Sequence, residues 1–196
     1  MLDIKRSQEP GIKEEPWQTD TCVGDWFYHV KTVYKRPDHV IEILIDIIAK
    51  NGNLLLNFPQ RPDGTIDEEC RYILQEMARW MAVCSEGVYG TRPFRVSGEG
   101  SSSVVIDHFK EDKVDCSASD FRFTQKGNTV YAFQMKAPDD HLAVICSLGP
   151  EDRVKRVRLL GAGDVEFRQA WGALVVSLPE QLPTPYAHCL AIELEG

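Results

Sequence analysis

The segment from Ala49 to Ile66, AKNGNLLLNFPQRPDGTI, limits what this chain can fold into more than any other stretch. A helix leads into it. Pro37 suits the first helical turn, and Val40, Ile41, Ile43, Leu44, Ile45, Ile47 and Ile48 leave almost no polar face. A helix apolar nearly all round is buried on more than one side, or has lost the neighbours that would bury it. Asn51-Gly52 stops the helix, with the glycine expected in the left-handed position beyond its end. Residues 53–58 make a short apolar run between breakers, the pattern of a buried parallel strand. Pro62-Asp63-Gly64 is a turn that Asp63 helps to shape. Thr65 with Glu68 predicts a capping box that opens a second helix. In that helix Ile66, Cys70, Ile73, Leu74, Met77, Trp80 and Met81 share one face, opposite Glu68, Glu69, Arg71, Gln75, Glu76 and Arg79. Helix, strand, loop, helix is the grammar of a barrel or a doubly wound sheet. In both, the loops after the C-terminal ends of the strands carry the chemistry.

Upstream, residues 1–16 are polar and irregular apart from a short strand around Leu2-Asp3-Ile4, and read as the end of something cut. A strand is expected at 18–21, followed by a loop. Downstream of Glu86-Gly87-Val88-Tyr89-Gly90-Thr91-Arg92-Pro93 the period changes. Gly98 to Ser103 reads as a flexible loop, and Phe121–Phe133 as a hairpin turning at Gln125-Lys126-Gly127-Asn128. Runs at 142–148, 154–160, 164–168, 173–178 and 188–194 follow, separated by Gly and Pro turns, at the spacing of an antiparallel β-sandwich. The expected fold class is therefore α/β plus all-β, with the boundary near residue 93.

Net charge is −8 and no cluster of Lys or Arg forms a nucleic-acid footprint, so nucleic acid is not an expected partner. No apolar run reaches membrane-spanning length, and Met1–Arg6 has no signal-peptide core. Cysteines 22, 70, 84, 116, 146 and 189 form no metal or redox spacing and read mostly as buried free thiols. Histidines 29, 39, 108, 141 and 188 are scattered and read as surface or satisfied core residues. No nucleotide, zinc-protease or serine-hydrolase motif occurs. Paired carboxylates are the remaining enzymatic option, and Asp20 and Asp25 are the candidates. Trp17, Trp26 and Phe27 beside Asp, Gln and Thr are either the lining of a sugar site or simply core.

Several segments resemble the C-terminal part of α-L-fucosidases of glycoside hydrolase family 29. They are PWQTDT (16–21), NGNLLLN (51–57), PDG (62–64), EGVYGTRP (86–93), DFRFT (120–124) with Val130-Tyr131-Ala132, and Leu159-Leu160-Gly161. The resemblance covers nearly the whole chain, in order. It implies that residues 1–92 are the last elements of a (β/α)8-like barrel, truncated, and that residues 93–196 are the sandwich domain. It implies a retaining exo-glycosidase that removes terminal α-L-fucose from a glycan or fucoside without metal or other cofactor. The family is typically secreted, periplasmic or lysosomal. The aspartate nucleophile's motif, an Asp after an aromatic at a barrel strand end, does not occur in these 196 residues. By resemblance it belongs to a missing N-terminal barrel of the same gene product.

Gln18 occupies the usual acid/base position, where many relatives carry Glu; a family branch with Trp-Gln-Thr-Asp-Thr exists, and the candidates for the acid/base are Asp20 and a residue upstream of this chain. Arg6 stands where relatives place a sugar-contacting Arg, although Lys5 replaces a common Glu. Trp26 matches an aromatic of the family's Trp-Gly-Tyr segment, although Phe27 replaces its Gly. Trp17, Trp26 and Tyr28 complete the expected substrate contacts. Cys84-Ser85 replaces the usual Asn-Gly, and Glu86 reads as structural. The expectation is a fucosidase portion that is inactive alone. The alternatives are a non-catalytic fucose-binding module and a structural fragment that associates with itself as a homo-oligomer.

Overall fold

The computed structural model describes residues 2–102 and 115–196. In chain order it holds strands β1 (Leu2–Lys5) and β2 (Trp17–Cys22), helix α1 (Pro37–Ala49), strand β3 (Gly52–Asn57) and helix α2 (Glu68–Cys84). A single 3-10 turn (Ser85–Gly87) follows. Then come strands β4 (Arg92–Glu99), β5 (Phe121–Lys126), β6 (Thr129–Gln134), β7 (Leu142–Ile145), β8 (Val154–Leu159), β9 (Gly163–Asp164), β10 (Phe167–Ala170), β11 (Ala173–Ser177) and β12 (His188–Leu194). His108 and Ser103 lie outside the described residues.

The N-terminal strands form a parallel sheet in the order β1-β2-β3, with Leu2, Trp17 and Gly52 in register. Helix α1 is the crossover from β2 to β3. Its all-round apolarity is explained by burial on three sides. Ile43 and Ile47 pack on the parallel sheet with Trp17, Ile4 and Leu54, Val40 packs with Cys70 and Ile73 of α2, and Ile41 and Ile45 face the sandwich. Each such side chain contributes about 1.5–3 kcal/mol through the water it sheds.

The end of α1 differs from the sequence expectation. Asn51, not Gly52, takes the left-handed backbone, at φ 70°. Its side-chain amide donates to the carbonyls of Lys13 (3.0 Å) and Glu14 (3.1 Å), which fastens the segment entering β2. Gly52 is required for space instead. A Cβ there would lie 2.7 Å from Ile47 Cγ2 and from the Trp17 ring. The start of α2 also differs. Asp67 is the cap, accepting from Cys70 N at 2.9 Å, while Thr65 bonds to Asp63 within the preceding turn. A carboxylate two residues nearer the helix reaches the orphan amide that Thr65 cannot. On α2, Leu74 is partly exposed, whereas Glu76 is buried and accepts from the Tyr186 hydroxyl at 2.7 Å.

Residues from Arg92 onward form two antiparallel sheets, one ordered β4-β5-β6-β12-β8-β9 and the other β10-β11-β7. Between them lies a core that includes Phe121, Phe123, Val130, Ala132, Ile145, Leu159, Leu174, Leu190 and Ile192. The larger sheet is covered on its other face too. There Tyr131, Phe133, Cys189 and Ala191 pack against Ile41, Ile45, Trp80 and Cys84 of the helices, and the Trp80 indole donates to Ala187 O at 2.7 Å. The molecule is thus layered as parallel sheet, helices, six-stranded sheet and three-stranded sheet. Gly98, expected in a loop, lies in β4 opposite Arg122, where a Cβ would come 2.4 Å from Phe121 O. The run expected at 164–168 is divided, because β9 pairs with β8 while β10 crosses to β11 in the other sheet.

Three buried charges join the helices to the sandwich. Asp46 of α1 accepts from Arg122 Nε at 2.6 Å and from Lys50 Nζ at 2.5 Å, and all three residues are buried. Thr124 also donates to Gly87 O at 2.7 Å. All six cysteines are free, and four are buried. Among the described residues no helix is long and apolar enough to cross a membrane.

Candidate active site

Side chains of a strand alternate between its two faces. On the parallel sheet Ile4, Trp17, Leu54 and Leu56 turn toward the helices. The other face therefore carries Asp3 and Lys5 of β1, Gln18, Asp20 and Cys22 of β2, and Asn53, Leu55 and Asn57 of β3. This face is open: Leu55 is 56% exposed, and Asp3, Lys5 and Asn53 stand in solvent. Because the strands are parallel, their C-terminal ends at Lys5, Cys22 and Asn57 meet along one edge.

Gln18 and Asp20 share this face, about 6.6 Å apart by the rise of a strand. Register places Asp3 and Asn53 beside Gln18, and Lys5 and Leu55 beside Asp20. The lateral neighbours of Asp20 are thus an ammonium and an aliphatic group, not a second carboxylate. Immediately beyond β1, Arg6 adopts φ 46°, an unusual backbone for a residue that is not glycine. Its amide donates to Asp20 O at 3.0 Å, and its guanidinium donates to Gly24 O at 3.0 Å and to the Cys22 sulfur. The bent backbone points the guanidinium across the ends of the neighbouring strands.

The loop after β2 completes the edge. The Trp26 ring carries Lys5 Nζ at 5.0 Å and Arg6 Cζ at 5.2 Å from its centre, within cation–π reach. Asn57 of β3 anchors the loop by donating to Trp26 O at 3.3 Å, and Arg61, after β3, lies 5.7 Å from the Tyr28 ring centre. Asp25 pairs with His29 at 2.5 Å in solvent. Beside Arg6 opens a cavity of about 610 Å³, lined by residues that include Gly24, Asp25, Lys35, Glu42 and Lys136. One wall is held shut by Lys136 Nζ, 2.5 Å from Glu42 and 3.5 Å from Asp38. The Arg36 guanidinium beside Asp38 holds that carboxyl below its usual range.

Of the residues singled out from sequence, Arg6, Asp20 and Trp26 meet at or next to this edge and Tyr28 reaches it through Arg61, whereas Gln18 shares the open face but lies toward the other end of β2, beside Asp3 and Asn53. Trp17 does not join them. Its ring is 1% exposed, faces α1, and donates to Lys50 O at 2.9 Å, so the expectation that it contacts a sugar is corrected to a place in the core. Phe27 is the reverse case: 83% exposed, it is not core. Lys5, Cys22 and Asn57 were not singled out as site residues. The signal for Asn57 was available, since period-two alternation through NLLLN puts Asn53, Leu55 and Asn57 on one face. Among the described residues no group of His, Cys, Asp and Glu gathers as metal ligands.

Comparison with known proteins gives the relatives of this chain. A family model described as alpha-L-fucosidase matches residues 2–86, and one described as alpha-L-fucosidase C-terminal domain matches residues 113–193. Mouse tissue alpha-L-fucosidase is 25% identical over 179 residues, spanning 88% of this chain and 36% of its own length. Alpha-L-fucosidase isoenzyme 1 of Paenibacillus thiaminolyticus superposes with TM-score 0.79 at 25% identity, over 99% of this chain and 45% of that one. The Thermotoga maritima alpha-fucosidase solved with fucose shares the fold, with TM-score 0.73 at 21% identity over 92% of this chain and 40% of that one. The chain therefore spans less than half the length of these relatives.

Proposed function

The chain belongs to the α-L-fucosidase family, and we propose that it is the C-terminal part of a retaining exo-α-L-fucosidase. In this reading residues 1–92 supply the last strands and helices of a (β/α)8-like barrel, and residues 93–196 are its sandwich domain. One observation carries it: a parallel sheet covered by helices on one face and open and polar on the other, with charged and aromatic groups at the strands' C-terminal edge. Barrel enzymes place their chemistry at that edge.

Retaining cleavage of a glycosidic bond needs a nucleophilic carboxylate on one side of the sugar and a proton donor on the other. Asp20 is the acid/base of this proposal, the carboxyl on the open face nearest the strand ends. Gln18, an amide, cannot deliver a proton and serves to orient a sugar hydroxyl. Arg6 and Trp26 hold the sugar, Arg6 as hydrogen-bond donor and Trp26 as apolar surface, with Tyr28 at the rim. Trp17 acts from behind, wedging β2 against α1. The nucleophile comes from barrel strands outside this chain, so the 196-residue chain alone does not turn over fucosides. Two carboxyl groups suffice for the chemistry, and the proposal invokes no cofactor.

The test is hydrolysis of 4-nitrophenyl α-L-fucoside by a product that joins this chain to the preceding barrel strands of its gene. The expected result is turnover with retained anomeric configuration, lowered at least 100-fold by Asp20→Asn, as for loss of a general acid whose contribution is about 10²–10⁴-fold. Turnover by the isolated chain would refute the missing-nucleophile reading. An Asp20→Asn enzyme with undiminished kcat would remove Asp20 from the chemistry. Saturable fucose binding with no hydrolysis in the joined product would favour a non-catalytic module.

A further inference from the structure

The hairpin between β10 and β11 carries an anomaly unrelated to the barrel edge. Ala170 pairs with Ala173, so Trp171 and Gly172 are the whole loop. Both have positive φ, 54° for Trp171 and 78° for Gly172. Two-residue loops of this kind favour asparagine or glycine at the first position, where a bulky side chain is strained. Strain of this sort persists where it serves a function. Trp171 is also 87% exposed, so no packing within the chain accounts for the ring. The Arg168 guanidinium lies 5.1 Å from the ring centre, close enough to hold it.

The position matters as much as the residue. The three-stranded sheet is separated from the helices by the six-stranded sheet, and its inward side chains fill the core between the two sheets. On the sheet's outer face Val144 is exposed, while Ala173 and Val175 are buried, so the ring projects from a surface that offers little other apolar area. Protein hot spots sit at the centre of large packed patches, which one exposed indole near Val144 does not make. An anionic membrane is disfavoured by the chain's net charge of −8. An exposed indole with a guanidinium over one face suits a pyranose, whose C–H face stacks on the other face of the ring while its hydroxyls accept from the guanidinium at the ring's edge.

We propose that Trp171 and Arg168 form a second, non-catalytic sugar-binding platform on the far side of the sandwich, which stacks on a pyranose ring of a neutral glycan. The proposal goes beyond the catalytic reading and does not depend on it, because the test contains no hydrolysis.

The intact 196-residue chain, labelled with ¹⁵N, is titrated with lactose, with methyl β-D-glucopyranoside and with 2′-fucosyllactose while the Trp171 indole N–H resonance is followed. At least one sugar is expected to move that resonance saturably, with half-saturation in the millimolar range. Arg168→Ala should weaken the binding several-fold. Trp171→Asn should abolish it, followed at the neighbouring Gly172 amide, while raising the thermal midpoint by relieving the backbone strain, which separates loss of binding from loss of fold. The proposal is overturned if none of the three sugars gives a saturable shift, or if Trp171→Asn still binds. It is also overturned if the Trp171 resonance moves with protein concentration alone, which would make a second copy the occupant.

Discussion

Replacing Asp46 by asparagine should unlock the helices from the sandwich. In the native cluster one carboxylate serves two cations, Lys50 at 2.5 Å and Arg122 at 2.6 Å, with exposures of 4% for Asp46, 3% for Lys50 and 6% for Arg122. The buried net charge is +1. Asp46→Asn raises it to +2 and removes the attraction that offsets desolvation of both cations. Removing one partner of a buried pair costs about 3–5 kcal/mol. For a chain of this size that lowers the thermal midpoint by roughly 6–20 °C. Arg122→Met and Lys50→Met behave differently, since each leaves a neutral one-to-one pair, and each should cost only about 1–2 kcal/mol. The midpoints are read by circular dichroism and by tryptophan emission, which reports Trp17 and Trp80 on either side of the helices. Burial already holds Lys50 below the usual lysine range despite Asp46. Without Asp46 the Lys50 pKa falls further. Between that value and the unfolded lysine value the unfolded chain binds the extra proton, so the Asp46→Asn deficit should shrink as pH rises. An Asp46→Asn midpoint at or above that of Arg122→Met, or a deficit independent of alkaline pH, would refute the reasoning.

Three further outcomes follow from named contacts. His188 is fully buried with Nε2 on Gln134 Oε1 at 2.8 Å, and burial pushes its pKa from 6.5 down to about 4. Below pH 6.5 the unfolded chain takes up a proton that the folded chain refuses, so stability should fall by about 3 kcal/mol between pH 6.5 and 4, and a His188→Asn variant measured by urea unfolding should lose this slope. Asp67→Ala should cost about 1 kcal/mol in the same assay through loss of the α2 cap, whereas Thr65→Ala should cost under about 0.5 kcal/mol. Gly52→Ala should cost about 1–3 kcal/mol through overpacking against Trp17 and Ile47, and an unchanged urea midpoint would show that both neighbours yield freely.

What was legible in the sequence was whatever depends on near neighbours in the chain. The helix at 37–50, the strand after it, the turn at Pro62-Asp63-Gly64 and the hairpin at Gly127-Asn128 follow from periodicity and turn chemistry, and each appears within a residue or two of its expected place. The misses come from contacts far apart in the chain. Gly52 looked like a helix stop because glycine usually is one, yet its role is set by the ring of Trp17, which only the β2–β3 register brings there. Glu76 looked solvated by helical spacing and is buried because Tyr186 arrives from the far end of the sandwich. Trp17 and Trp26 were indistinguishable by composition. Strand alternation sends the first toward α1, and the loop after β2 leaves the second beside Arg6.

The same logic explains why the candidate site and the sandwich belong to one mechanical unit. Helix α1 positions β2 through Ile43, Ile47 and Trp17, and it is itself held by the sandwich through Ile41, Ile45 and the Asp46–Arg122 pair. Lys50 closes the circuit. Its side chain belongs to the buried charge cluster, while its carbonyl accepts the Trp17 indole at the base of β2. A disturbance at Arg122, in the sandwich, therefore reaches the strand bearing Gln18 and Asp20 through only Asp46, Lys50 and Trp17. Through these contacts the sandwich braces β2, the strand that carries Asp20. In a product that joins this chain to its preceding barrel strands, Arg122→Met should consequently lower kcat on an aryl α-L-fucoside more than it raises KM. The proposed sugar contacts at Arg6 and Trp26 lie beyond the ends of β1 and β2, outside the buried charge cluster. A KM-only effect would mean that β2 keeps its place without the sandwich's hold.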